Sequence, residues 1–169
     1  MPNKIAGDRN SDGRGAFSVR SYEPYVFHLL FGVKRMNREI QRINPVGLYD
    51  PSPNGYTHVA IAPPGATIIY IAGQGGEDEQ GNLVDDFATQ LKQAFANLDT
   101  ALNAAGARPE HVVKLTTLVV NHDESKLQHL GAEIEARWGD RPPTQTLIPV
   151  PRLALDRMLF EVDAVAVLA

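Results

Sequence analysis

The chain has 169 residues, a length that suits one domain around one hydrophobic core. Its 43% hydrophobic and 21% charged residues are ordinary for a globular protein, and a formal net charge of -4 argues mildly against a surface built to wrap nucleic acid. There is no cysteine, which excludes a disulfide framework, a thiolate nucleophile and a cysteine zinc site, and no apolar run is long enough to span a bilayer.

Residues 1–43 differ in texture from the rest and read as an N-terminal extension. NSDGRGAFS, Asn10–Ser18, is rich in Gly, Ser and Asn and reads as disordered. YVFHLLFGVKRMNREIQR, Tyr25–Arg42, has an apolar half too short for a membrane span and a basic end. A short helical arm packing on its own or a neighbouring subunit is the first expectation, and a peripheral membrane helix the second. The charges follow the apolar run, so this is not a clean secretory signal. Met36 is a further candidate for the native start. Lys34, Arg35, Arg38 and Arg42 form the one basic cluster suggestive of nucleic acid.

From Asn44 to Ala169 the sequence is densely patterned and reads as a single domain. YTHVAIA (Tyr56–Ala62) and ATIIYIAG (Ala66–Gly73) are β-rich runs joined through Pro-Pro-Gly, which predicts a hairpin. GQGGEDEQGNL, Gly73–Leu83, reads as a glycine-rich turn and matches no phosphate-binding motif. In Asp85–Gly106 the residues Phe87, Leu91, Ala94, Leu98, Leu102 and Ala105 recur at helical spacing. Asp85 or Asp86 is placed to cap the start of that helix, and Gly106 to close it. HVVKLTTLVV, His111–Val120, is a β-branched strand with Val112, Lys114 and Thr116 expected on one side. Leu127, Leu130, Ile134 and Trp138 stripe a second helix that Gly139 stops, and Trp138 is expected in the core. TQTLIPV (Thr144–Val150) and MLFEVDAVAV (Met158–Val167) are the last strands.

The final strand alternates. Met158, Phe160, Val162, Ala164 and Ala166 face one way; Leu159, Glu161, Asp163, Val165 and Val167 face the other. Two carboxylates on a largely apolar face need a pocket or a basic partner, because desolvating an unpaired charge is expensive. The predicted architecture is α+β: a mixed sheet covered on one face by two helices. The uncovered face also alternates apolar residues, which predicts self-association.

Taken in order, these segments resemble the RidA/YjgF family, which also carries an endoribonuclease L-PSP label, from about Asn44 to Leu168. INPVGLYDPSPNGYTHVAI is similar to the family's entry segment, where a tyrosine lies at the active cleft. IAGQ, Ile71–Gln74, is similar to its Ser-Gly-Gln, with Ala72 in place of serine. QAFANLDTALNAAGA resembles its helix signature through Asn97, Leu98 and Gly106. VVKLTTLV and FEVDAVAV resemble two of its strands.

The resemblance implies a chorismate-mutase-like fold and a homotrimer with a barrel-like core of packed sheets. It also implies three small-molecule clefts between subunits, and a cytoplasmic setting. The family's best-known activity is hydrolysis of enamines and imines to 2-oxo acids and ammonia. Carried over residue by residue, Tyr56 and Glu161 are the expected catalytic residues, and Gln145, Gly73 and His58 the expected substrate-binding residues.

Gln145 departs from the pattern. It stands where the family's Pro-Ala-Arg-Thr motif has the arginine that clamps a substrate carboxylate. An arginine fork supplies charge and orientation together; a glutamine amide supplies a neutral donor. An uncharged or differently charged ligand is therefore expected, and Arg152 or Arg157 of a neighbouring copy is a candidate replacement cation. His58 and Glu161 are a candidate acid–base pair. No cofactor motif is present and no histidine–carboxylate spacing suits a metal. The expectations that remain are a divergent family hydrolase, a non-catalytic binding or structural trimer and, least supported, a ribonuclease. Neither nucleic acid nor stable membrane insertion is expected.

Overall fold

A computed structural model describes residues 38–169. The chain divides into two units, Met1–Arg35 and Met36–Ala169, and the fold described is that of the second. The expectations for the N-terminal arm before residue 38 lie outside the described residues.

The elements run β1 (Gln41–Ile43), β2 (Val59–Ile61), β3 (Thr67–Gly75), α1 (Phe87–Ala104), β4 (Val112–Val120), α2 (Glu124–Trp138), β5 (Thr144–Val150) and β6 (Phe160–Leu168). Four strands form the main sheet in the order β3-β6-β4-β5. β6 is antiparallel to both β3 and β4, while β4 and β5 are parallel. A parallel pair needs a crossover, and α2 supplies it.

Both helices begin at aspartate caps. Asp86 accepts from the Thr89 N–H at 2.7 Å and the Thr89 hydroxyl at 2.6 Å. Asp123 accepts from the Lys126 N–H at 2.9 Å. These bonds satisfy N–H groups that the first turn leaves without partners. α1 buries Phe87, Leu91, Ala94, Phe95, Leu98 and Leu102, and α2 buries Leu130, Ile134 and Trp138. Their partners across the core are Ile71, Leu115, Val119, Phe160, Val162, Ala164 and Ala166. Phe160 stacks between Phe87 and Phe95, with ring centroids 6.0 and 5.8 Å away.

Gln90 is the polar member of this core and is fully buried. Its Nε2 donates to the carbonyls of Val84 (2.7 Å) and Arg157 (2.8 Å), and its Oε1 accepts from the Leu159 N–H at 2.8 Å. A buried amide is tolerated because its hydrogen-bonding groups find partners.

Glu161, Asp163 and Val165 lie on the sheet face away from the helices, as the alternation of β6 predicts, while Phe160, Val162, Ala164 and Ala166 are buried under them. β3 adds Ile68 and Tyr70, which are 53% and 78% exposed.

Four expectations are corrected. β2 pairs with β1, not with β3, so no hairpin joins Tyr56–Ala62 to Ala66–Gly73. The connecting turn does form: the Ala66 N–H donates to the Pro63 carbonyl at 3.2 Å, with Gly65 at φ +76. That is a type II pattern, whose twist splays flanking strands instead of pairing them. Val112 faces the core, not the side of Lys114 and Thr116, because a register shift between Val112 and Lys114 inserts one residue. The Thr144 hydroxyl donates to the Val113 carbonyl there at 2.8 Å. Ala105 is the exposed C-cap of α1 and not part of its apolar face. Leu127 is largely exposed at the start of α2. In addition, β1 lies ahead of residue 44, so the folded unit takes in a strand from the region read as extension.

Candidate functional site

The first group of expected site residues gathers at a bulge in β3. Register shifts between Ile71 and Gln74, placing Gly73 where the ladder is interrupted. The Glu161 carboxyl lies directly against it: a Cβ at Gly73 would stand 2.6 Å from Glu161 Cδ. The neighbouring glycines are also packed. A Cβ at Gly76 would stand 2.6 Å from the backbone Cα of Gln90, so this stretch is a close approach of β3 to α1 as well as a turn. Asn97 fixes the segment leaving the bulge, its Nδ2 donating to the carbonyls of Gly75 (3.0 Å) and Glu77 (2.8 Å). A cavity of about 700 Å³ opens here, lined by Gly73, Glu77, Asn97, Met158 and Glu161 among others. Partial burial, and then the negative charges of Glu77 and Asp163, raise the Glu161 carboxyl above the ordinary carboxylate range.

The second group gathers at the start of β5. Thr57 is buried and ties its segment to the Pro-Pro pair, its N–H donating to the Pro143 carbonyl (3.0 Å) and its hydroxyl to the Pro142 carbonyl (2.8 Å). That clamp holds Tyr56 and His58 in place. The rings of Tyr49, Tyr56 and His58 meet edge to face, with His58 5.4 Å from Tyr49 and 5.5 Å from Tyr56. His58 Nε2 lies 2.9 Å from the Tyr49 carbonyl. A carbonyl only accepts, so Nε2 carries the proton and a neutral His58 keeps Nδ1 as an acceptor.

A cavity of about 460 Å³ is lined by Tyr56, His58, Lys114, Gln145 and Thr146 among others. Gln145 pairs in register with Leu115, and its Nε2 lies 3.4 Å from the Thr117 hydroxyl, a donor–acceptor pair at the long end of the range. Lys114 donates to the Thr146 hydroxyl. Burial lowers the Lys114 ammonium from its ordinary value, and the charge of Asp163 partly opposes this.

Within one chain, then, Tyr56, His58 and Gln145 share one cavity, and Gly73 and Glu161 share another. The two cavities have no lining residue in common. Arg152 and Arg157 are paired locally, with Asp156 at 2.9 Å and Asp85 at 2.7 Å. Sequence reasoning missed Lys114, Asn97 and Gln90. A lysine on the half-buried face of a β-branched strand was the available signal for the first; Asn97 stood out only through the helix signature, with no site role, and nothing in spacing marked Gln90. Among the described residues no group of three or more His, Cys, Asp or Glu is placed to hold a metal, and no helix is long and apolar enough to cross a membrane.

A mixed four-stranded sheet under two helices, with a bulged glycine set against a last-strand glutamate, defines a small α+β domain of a known kind. The chain belongs to the Endoribonuclease L-PSP family, the RidA/YjgF family, whose model matches residues 50–168. It is similar to a RutC family protein of Pyrococcus horikoshii, 31% identical over 119 residues covering 69% of this chain and 90% of that protein. A second RutC family protein, from Aquifex aeolicus, is 33% identical over 102 residues, covering 59% of this chain and 79% of its own. Among solved structures it is similar to the Rid family protein YyfB of Yersinia pestis, at 36% identity and TM-score 0.72, covering 77% of this chain and 99% of that one. A YjgF/YER057c/UK114 family member from Mycobacterium tuberculosis, at 24% identity and TM-score 0.52, covers 77% of this chain and 100% of its own, and shares the fold.

Proposed function

We propose that this protein hydrolyses the C=N bond of a small imine, or of the imine tautomer of an enamine, in clefts between copies of a homotrimer, with a substrate choice different from the 2-imino acids of the family's deaminases. The observation that carries the reading is Glu161: a half-buried carboxyl beside the Gly73 backbone, its affinity for a proton raised. A carboxyl tuned toward neutrality serves as acid and base in turn.

In this reading the protonated Glu161 gives its proton to the imine nitrogen. Its carboxylate then takes a proton from water as the oxygen bonds to the imine carbon. The resulting carbinolamine collapses: Glu161 returns its proton to nitrogen, the C–N bond breaks as the C=O forms, and the hydroxyl proton passes back to the Glu161 carboxylate, so a carbonyl compound and ammonia leave and the acid is restored. Tyr56 and His58 are the facing wall. The exposed Ile68 and Tyr70 support burial of the open sheet face against other copies. Such packing is also the means of bringing the two separate cavity walls together.

Gln145 occupies the family's arginine position, and Lys114 is the cation in its cavity. A lysine is a point charge without the planar fork of arginine, so it grips a carboxylate with less orientation. The test compares 2-aminoacrylate generated in situ with an imine generated in situ from a simple primary amine by an amine oxidase. Acceleration over buffer is expected for the second imine above the first, and it is expected to vanish in Glu161→Gln. No acceleration of either substrate would leave the second reading, a non-catalytic binding trimer. That reading is supported by the Gln145 amide being turned toward Thr117.

A further inference from the structure

At the end of the sheet where β1 packs lies a third cavity, of about 490 Å³, bordered by Arg38, Arg42, Arg137, Arg141, His111 and Trp138 among others. It shares no lining residue with the two cavities above. Arg137 is neutralised, 3.3 Å from Asp99 and 2.6 Å from Glu133. The other three arginines form no ion pair among the described residues. Arg42 is anchored by its terminal nitrogen, which donates to the carbonyls of Glu110 (3.2 Å) and Val112 (2.9 Å). Its Nε is buried with no hydrogen-bond partner. A buried donor left unpaired is costly, and it is rare in native proteins.

Two carboxylates also border the cavity. Glu110 is taken by Arg108 at 2.7 Å, and Glu39 is engaged in a contact of its own. Among the described side chains at the cavity, Arg38, Arg42 and Arg141 outnumber the one glutamate not held by Arg108, so the balance of charge is positive. Burial, and then the charge of Arg141, lower the Arg42 guanidinium from its ordinary value.

We propose that this cavity binds a multiply charged phosphoryl anion, such as the diphosphate group of a small metabolite, at a site separate from the catalytic cleft. Guanidinium groups match phosphate oxygens bidentately, and an anion held among Arg38, Arg42 and Arg141 offsets their like charges. The cavity is roomy enough to admit more than the phosphate itself.

The chain carries its own reporter. Trp138 is the single tryptophan, is 7% exposed and borders the cavity. The experiment titrates the full chain with inorganic pyrophosphate, followed by Trp138 emission and by calorimetry, against sodium chloride of matched ionic strength. A saturable response to pyrophosphate alone is expected, weakened about tenfold or more in Arg141→Gln. Arg141 is exposed and forms no ion pair among the described residues, so its loss leaves the fold intact. Arg42→Gln is the second variant, with thermal melting to show that it folds. No saturable binding, an equal response to chloride, or binding unchanged in a folded Arg42→Gln and in Arg141→Gln would each overturn the proposal. Imine hydrolysis is measured separately, and its presence or absence does not bear on this site.

Discussion

Gly73 and Glu161 occupy one shared volume: the carboxyl of the last strand fills the space that any side chain on the bulged residue of β3 would need. The strands pair from Ile71 with Ala164 to Gly75 with Glu161, and the bulge between sets the glycine backbone against the acid. Bulges of this kind re-aim side chains next to functional sites.

Gly73→Ala is therefore expected to displace the Glu161 carboxyl and not the backbone, because the atoms in its way belong to a flexible side chain. Hydrolysis should fall on the order of a hundredfold, the usual effect of misplacing a reacting group by about 1 Å. Thermal melting should change little. Melting together with initial rates checks both halves of the expectation.

The raised carboxyl of Glu161 gives stability a pH dependence of known sign. The folded state holds this proton more tightly than the unfolded state, whose group titrates near 4.5. The stabilising contribution is whole below that value and is lost as pH rises through the folded value. Glu161→Gln, uncharged throughout, should gain stability over the native chain as pH climbs from about 4 to about 8. Urea midpoints at several pH values test this; a constant difference would contradict it.

Lys114 separates binding from folding. Burial works against its charge, so Lys114→Met should hold or raise the melting temperature. Its loss should still raise KM for an anionic substrate about tenfold, since a charge-assisted contact disappears. Steady-state kinetics beside a melting curve distinguishes this from a purely structural lysine.

Gln90→Leu should cost about 3 kcal/mol, measured by urea denaturation. The substitution leaves two carbonyls and one N–H without their partner, each buried group costing roughly 1–3 kcal/mol, softened by backbone adjustment.

Much of the architecture is legible from periodicity. The 3.6-residue recurrence from Phe87 to Leu102, with Asp86 ahead of it, specifies α1, and strict alternation places Glu161 and Asp163 on the open face. The β2–β3 hairpin misleads because two β-rich runs around Pro-Pro-Gly say nothing about the handedness of the turn. Val112 misleads because a bulge is one residue of phase, invisible in composition. The resemblance names Tyr56, Gly73, Gln145 and Glu161 one at a time. Which of them share a wall depends on strand order, and order is a property of the whole sheet. Gln90 and Lys114 are polar residues inside apolar patterns, and their partners are backbone groups or distant strands that no local reading reaches.

The Thr57 clamp has a consequence for how the molecule is made. Its hydroxyl closes onto the Pro142 carbonyl, 85 residues further along the chain. Contacts so distant in sequence come at a high loop-closure cost and tend to wait for the intervening structure. The aromatic wall of Tyr49, Tyr56 and His58 is thus synthesised early yet assembled late, once the segment after α2 has emerged and docked. A nascent chain halted before Pro142 would carry these rings without the anchor that positions them.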